Sequence, residues 1–283
     1  MRVLFIGGTG IISSACSELA LHKGIDLYLL TRGRSIRPAP VGAQILQADI
    51  RKPDTVSQVL GNLTFDSVVN WVAYTPDQVQ GDLKLFRDRT QQYIFISSAS
   101  AYQKPPPFLP ISESTPLHNP NWQYSRDKAA CEALLEQVGV QEGFPFTIVR
   151  PSHTYDRTLL PFHGGYATVA RMRAGKPVVV HGDGTSLWTL THHRDFAVGF
   201  VGLLGNPHAL GHCFHITSDE WLSWNQIYQT VGQAAGMEPH LVHAPSEIIA
   251  WYDADVSRQV VDARIDEVHD RLVAGLKRAN PEK

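Results

Sequence analysis

The sequence predicts an α/β fold built on a doubly wound parallel sheet, and three observations carry that prediction. Short runs of β-branched and aliphatic residues recur through the first half, helical patterns alternate with them, and a glycine-rich turn follows the first run directly. The runs are "RVLFI" (2–6), "DLYLL" (26–30), "QILQ" (44–47), "SVVNWV" (67–72), "YIFIS" (93–97) and "FTIVR" (146–150). Helical patterns lie near 11–23, 54–61, 77–91 and 122–139. Strands that are apolar on both faces need cover on both faces, which alternating helices supply. The stretch "KPPPFLPISESTPLHNPN" (104–121) holds six prolines. These remove donors and fix φ, so it reads as a loop over the top of the sheet, where long loops usually face a ligand.

After Arg150 the pattern loosens into a helix near 166–174, "PVVV" (177–180), a helix from Asp195 to Leu204, "CFHI" (213–216) and a helix near 223–235. The expected organisation is a nucleotide-binding domain over 1–152, with about 181–205 returning to it. A smaller C-terminal α/β substrate lobe and a final helix fill 153–283. The terminal "VVDARIDEVHDRLVAGLKRA" reads as an amphipathic helix packed on the body or on a partner chain. No internal repeat is present.

Composition excludes several classes. The 25 basic and 27 acidic residues leave a net charge of −2, and no dense Lys/Arg run offers nucleic acid a landing surface. Cys16, Cys131 and Cys213 have neither metal nor redox spacing, and an odd count without a signal peptide points to a reducing cytoplasm. The apolar start falls well short of the roughly 20 residues a membrane span needs, as does every later apolar run. Thirteen histidines include "THHRD" and "HCFH", but no set converges as metal ligands, so no metal is expected.

The turn "GGTGIIS" stands between the first strand and the helix "SACSELALHKG". Small residues there let a pyrophosphate approach the backbone at a helix N-terminus, whose N–H groups and dipole favour anions. Gly7 and Gly10 take the first two fingerprint positions and Ser13 replaces the third glycine. By itself the motif could be a tight turn; its setting favours a cofactor. The second strand ends in "LLTRGRS", presenting Thr31, Arg32 and Arg34 and no carboxylate, while Asp26 lies at the strand's wrong end. Guanidinium groups suit a 2′-phosphate, which favours NADP over NAD, although such arginines are also common as solvated charge. Asp49, with Ile50 after it, is placed to meet the adenine, and Val72 and Ala73 to run along the cofactor. The alternative for each is a strand end or core packing.

In "WQYSRDK" (122–128), Tyr124 and Lys128 share a helical face. A phenol of ordinary pKa near 10 transfers protons poorly at neutrality unless a cation stabilises its phenolate. A serine from "FISSAS" can hold the same substrate oxygen. Spacing alone allows a catalytic pair and a surface pair equally.

Together, "GGTGIIS", "ADIR", "FISSASAY", "YSRDK", "VRPSHTYD" and "HGDGTSLWTLTHHRDFAVGF" resemble the extended short-chain dehydrogenase/reductase superfamily, which includes the NAD-dependent epimerase/dehydratases. The resemblance spans about residues 1–235. It implies a Rossmann-type nucleotide domain, a C-terminal substrate lobe and a triad of Ser98, Tyr124 and Lys128, with Ser97 facing away and Ser100 as the fallback. Tyr124 becomes the general acid/base, and Lys128 holds the nicotinamide ribose while lowering the tyrosine pKa. Thr9, Ile11 and Ile12 join Gly7 and Gly10 at the cofactor, and Pro151 and His153 fall beside the nicotinamide. Tyr74, Ser100, Gln103, His153 and Trp188 are the substrate candidates, and Trp122 either shapes the pocket or packs the loop. A homodimer built on two helices of the nucleotide domain is also implied.

Three departures stand out. Trp188 occupies the position where nucleotide-sugar relatives carry an arginine for the substrate pyrophosphate, which favours an aromatic or apolar contact. Gln103 stands for a usual glycine, and the tail shortens abruptly near 246–251. The leading reading is hydride transfer between NADP, or NAD, and a secondary alcohol or ketone of a small-molecule substrate. Alternatives are a sugar or nucleotide-sugar epimerase/dehydratase, and a non-catalytic NADP-sensing or RNA-associated protein.

Overall fold

The computed structural model describes residues 1–162 and 164–249; the expected terminal helix lies outside them. In chain order the elements are β1 (Arg2–Ile6), α1 (Ile11–His22), β2 (Asp26–Thr31), β3 (Gln44–Gln47), α2 (Pro53–Leu60), β4 (Ser67–Asn70), α3 (Pro76–Phe86), β5 (Tyr93–Ile96), α4 (Gln123–Glu142), β6 (Phe146–Pro151), β7 (His153–Tyr155), α5 (Gly165–Arg173), β8 (Val178–His181), β9 (Leu187–Trp188), β10 (Leu190–His192), α6 (His193–Val201), β11 (Cys213–Ile216), β12 (Leu222–Ser223), α7 (Trp224–Ala234) and β13 (Leu241–Ala244). Residues 104–121 form neither helix nor strand.

Seven strands make one sheet in the order β11-β6-β5-β4-β1-β2-β3, and every pairing in it is parallel. The order reverses between β1 and β4, the switch point where a doubly wound sheet opens a crevice at its carboxyl edge. The continuous apolar runs are explained by two cores. Leu4, Ile6, Val68, Phe95 and Ile148 pack with residues of α2, α3 and α4, including Val56, Val79, Leu83 and Leu135, on one face. Val3, Phe5, Val69, Ile94 and Val149 pack with Ala15 and Cys16 of α1 and with Phe196 and Phe200 of α6 on the other. Burying each such side chain contributes about 1.5–3 kcal/mol. Helix α3 stops at Phe86, short of the expected residue 91, because the following chain turns back and Thr90 bridges Phe65 in parallel.

The chain divides into two compact units, Met1–Asp156 with Thr191–Ser218, and Arg157–Leu190 with Asp219–Lys283. The segment that rejoins the large sheet's unit thus begins later than the expected 181–205. It carries α6 and β11, whereas β8 pairs with β13 inside the second unit. That second unit has its own core, in which Val178 and Val180 pack with Phe162, Met172, Trp224, Ile227 and Tyr228.

Candidate active site

The glycine turn follows from what its backbone must pass. Gly7 and Gly8 have φ of +103° and +99°, a region that side chains resist. A Cβ on Gly7 would meet Val72 Cγ1 at 3.2 Å and Trp71 Cβ at 3.3 Å, so the turn runs hard against the end of β4. The tighter approach belongs to Gly8, where a Cβ would lie 2.6 Å from Leu29 Cδ2. Gly8 is not among the expected fingerprint positions; the doubled glycine is its signal in the sequence. Ser17 Oγ donates to Gly8 O at 2.9 Å. Ser13 does more than fit: its Oγ accepts from Gly10 N–H at 2.7 Å and closes the start of α1. Thr9 and Ile11 are half-buried, and Ile12 packs into the core, so these positions offer a ligand mainly backbone.

At the end of β2, Thr31 Oγ1 accepts from Gly33 N–H at 3.3 Å, while Arg32 and Arg34 are exposed. Asp49 is gripped by Arg51, whose Nε lies 2.9 Å from Oδ1. That hydrogen bond holds the carboxyl well below the usual carboxylate range, with Arg32 adding to the effect. The side chain expected to meet an adenine therefore already has a partner in Arg51. Ile50 packs against the core.

The other end of the crevice is built from β4, β5 and α4. Lys128, 2 % exposed, donates from Nζ to Ala73 O at 2.6 Å and Ile96 O at 2.7 Å, carbonyls at the ends of two neighbouring strands. Its ammonium also lies 4.7 Å from the Phe95 ring and 4.8 Å from that of Tyr74. These contacts stabilise the cation, yet burial prevails and brings its pKa down to about 8. An ammonium has three donors, so the two carbonyls leave one for a ligand.

Tyr124, one turn earlier, is flanked by Trp122 at 4.8 Å and Tyr74 at 5.9 Å between ring centroids, and its ring lies 5.7 Å from Lys128 Nζ. Its pKa is raised by burial, while a hydrogen bond with Ser98 works in the opposite direction. Burial is the larger of the two effects, and the neighbouring Tyr74 adds to it. Ser98 Oγ donates to Ser100 Oγ at 2.9 Å and accepts from Ser100 N–H, and Ser125 Oγ donates to Ser100 Oγ at 3.0 Å. Asn119 Nδ2 donates to Ser100 O at 2.8 Å, tying the proline-rich loop to this end. Ser97 turns into the protein, bonded to Glu132, whose carboxylate pairs with Arg150 Nη2 at 2.6 Å.

Beneath β4 lies a network the sequence did not disclose. Asn70 Oδ1 accepts from Val72 and Ala73 N–H at 2.7 and 2.8 Å, while its amide bonds buried Asp82, which also accepts from Tyr93 OH at 2.6 Å. This chain fixes the carbonyl of Ala73 on which Lys128 hangs. Pro151 ends β6 half-buried; His153, also half-buried, has its pKa lowered by burial. Gln103 N–H donates to Pro116 O at 2.8 Å. His193 Nδ1 lies 3.1 Å from Ile11 O, so one histidine of "THHRD" serves the turn. Among the described residues no group of three or more His, Cys, Asp and Glu could hold a metal, and no helix is long and apolar enough to cross a membrane.

In the second unit Trp188 is 41 % exposed and its ring lies 5.8 Å from Trp224, which meets His181 edge-on at 4.8 Å.

A glycine turn at the switch point, a buried lysine and a flanked tyrosine define the class of doubly wound dinucleotide-binding enzymes. The chain belongs to the NAD dependent epimerase/dehydratase family, whose model matches residues 3–216. It is 27 % identical to "Chloroplast stem-loop binding protein of 41 kDa b" of Arabidopsis thaliana, over 86 % of this chain and 65 % of that protein. It is 25 % identical to "2'-dehydrokanamycin reductase" of Streptomyces kanamyceticus, over 95 % of this chain and 77 % of that protein. The fold matches that of the Thermus thermophilus UDP-glucose 4-epimerase in complex with NAD, with a TM-score of 0.70 and 21 % identity over 87 % and 86 % of the two chains.

The turn fits a dinucleotide. Gly7 and Gly8 leave its backbone bare of Cβ atoms where the chain turns tightly, and the first turn of α1 carries no acidic residue to repel phosphate.

Proposed function

We propose that the protein is an NADP-preferring oxidoreductase that reduces a ketone on a small ring-bearing substrate, with Ser98, Tyr124 and Lys128 as its triad. The observation that carries the reading is Tyr124, its ring 5.7 Å from the ammonium of a lysine sealed between two strand-end carbonyls, with Ser98 following the end of the neighbouring strand β5. Ser98 would hold the substrate oxygen and Tyr124 would give it a proton, while a bound nicotinamide would supply the hydride to the carbon. Lys128 stabilises the phenolate left behind and holds the ribose hydroxyls with its remaining donor. A tyrosine kept protonated by burial suits proton delivery, which favours the reductive direction. Gly7, Thr9, Gly10, Ile11 and Ile12 would hold the pyrophosphate, mainly through their backbone. Thr31, Arg32, Arg34, Asp49 and Ile50 face the adenosine, while Val72, Ala73, Pro151 and His153 run toward the nicotinamide. Tyr74, Ser100, Gln103 and His153 are the substrate contacts of the first unit. Trp188 on Trp224 favours an uncharged ring face over a diphosphate.

Replacing Tyr124 with Phe tests the mechanism. NADPH oxidation with an accepted ketone is expected to fall by about 10²–10⁴-fold; turnover near the wild-type rate sinks it.

A second reading, transient oxidation and re-reduction of a sugar, is favoured by the relatives named UDP-glucose 4-epimerase, one of them 29 % identical over 53 % of this chain. Nucleotide retained through purification with redox-neutral turnover would favour it. The Arabidopsis relative's name motivates a third, and a stem-loop RNA shifted by the purified protein at physiological salt would favour that one.

A further inference from the structure

The positive end of α1 has no acidic residue in its first turn, yet the fold places a cation against it. Arg37, from the segment joining β2 to β3, donates from Nη1 to Gly10 O at 3.2 Å and Ser14 Oγ at 3.0 Å. Ser14 is itself oriented by donating to Ile11 O at 3.1 Å. The same Nη1 lies 2.7 Å from Asp156 Oδ2, and Asp156 is 2 % exposed.

Helix stability does not explain this placement, because a guanidinium beside a helix N-terminus is opposed by the dipole. Asp156 balances the positive charge of Arg37, so the pair as a whole brings no net negative charge to the helix end. The bridge is also placed by topology. Arg37 comes from the β2–β3 side of the switch point and Asp156 from the end of β7, which follows β6 on the other side. The pair therefore spans the two halves of the sheet at the turn where they part.

We infer that Arg37 is a binding residue for the cofactor's pyrophosphate, held in position by Asp156. The inference rests on the proposed reading that the glycine turn takes a dinucleotide. A pyrophosphate at the start of α1 meets the charge of the guanidinium and the helix N–H groups together. Arg32 and Arg34, exposed beyond the end of β2, act on the adenosine end instead.

The test is titration of NADH and NADPH by nicotinamide fluorescence with wild type, Arg37→Ala, Arg37→Lys and the double variant Arg32→Ala/Arg34→Ala, alongside hydrogen exchange of the cofactor-free protein. Arg37→Ala is expected to weaken NADH and NADPH alike, by roughly tenfold or more. Arg37→Lys should recover part of that, since lysine restores the charge without the fork. Asp156→Asn should speed amide exchange over residues 32–43 without any cofactor present. Should Arg37→Ala fail to fold, Arg37→Met/Asp156→Asn removes both charges and is expected to show the same loss for both nucleotides. Unchanged affinities in a folded variant overturn the inference. A loss confined to NADPH moves Arg37 to the 2′-phosphate and overturns the pyrophosphate assignment. Unchanged exchange in Asp156→Asn overturns the holding role, independently of catalysis. A wild type that binds neither nucleotide overturns the dinucleotide reading itself.

Discussion

The two ends of the crevice carry cations in opposite ways. At the β4–β5 end Lys128 is sealed off, 2 % exposed, and held by two backbone carbonyls. At the β2–β3 end Arg32 and Arg34 stand in water, and the nearby Asp49 is paired with Arg51 on the surface. A buried cation is fixed in place and its proton affinity is set by its surroundings, whereas exposed cations are mobile and screened. The first kind of site should respond sharply to substitution and to pH; the second should respond weakly and to salt.

The sharpest break in that comparison is Lys128→Met. It keeps an unbranched side chain of similar reach but removes the charge and leaves Ala73 O and Ile96 O without their donor. Turnover should fall by about a hundredfold or more at neutral pH, with the thermal melt confirming a folded variant. Retention of most activity would place Lys128 with the solvated cations and end the contrast.

Acidity sharpens it further. Burial lowers the Lys128 pKa to about 8, below its unfolded value of about 10.4. Between these values the unfolded chain binds the extra proton. Stability attributable to this group should therefore rise as pH goes from about 8 to 10, the charged form being the disfavoured one in the fold. Activity should move the other way: kcat/KM should decline by about tenfold per pH unit above about pH 8 as the ammonium is lost. Thermal melts and initial rates across pH 6.5–10, compared between wild type and Lys128→Met, check both slopes. A flat profile in the wild type would remove Lys128 from the reaction.

How much of this was legible in the sequence follows from the range of the interactions. The strands of the large sheet and the Tyr124/Lys128 pair depend on patterns within a few residues, so the apolar runs and the helical spacing disclosed them. Ser13 was visible as a departure, but its bond to Gly10 N–H required the turn's geometry. Arg37 and Asp156 come together across 119 positions of chain, and Asn70, Asp82 and Tyr93 lie on three elements. No periodicity encodes such pairings. The same holds for Glu132 and Arg150, which looked like an ordinary helix acid and the polar end of a strand. Side-chain burial is equally invisible in spacing, and it is what raises the pKa of Tyr124.

The smallest effect is expected where the cations are solvated. Arg32→Ala/Arg34→Ala removes two charges that are exposed in the structure and that, on the proposed reading, act on the cofactor through its 2′-phosphate. NADPH affinity should fall by less than about tenfold, NADH affinity should stay within about twofold, and the NADPH loss should shrink as salt rises to about 0.5 M. The paired titrations measure preference directly, because NADH serves as the internal control for everything except the 2′-phosphate. Equal losses for both nucleotides would mean that these arginines sense the whole cofactor rather than its 2′ position. A loss as large and as salt-insensitive as that of a buried group would show that the segment after β2 closes on the ligand and desolvates them, erasing the difference between the two ends.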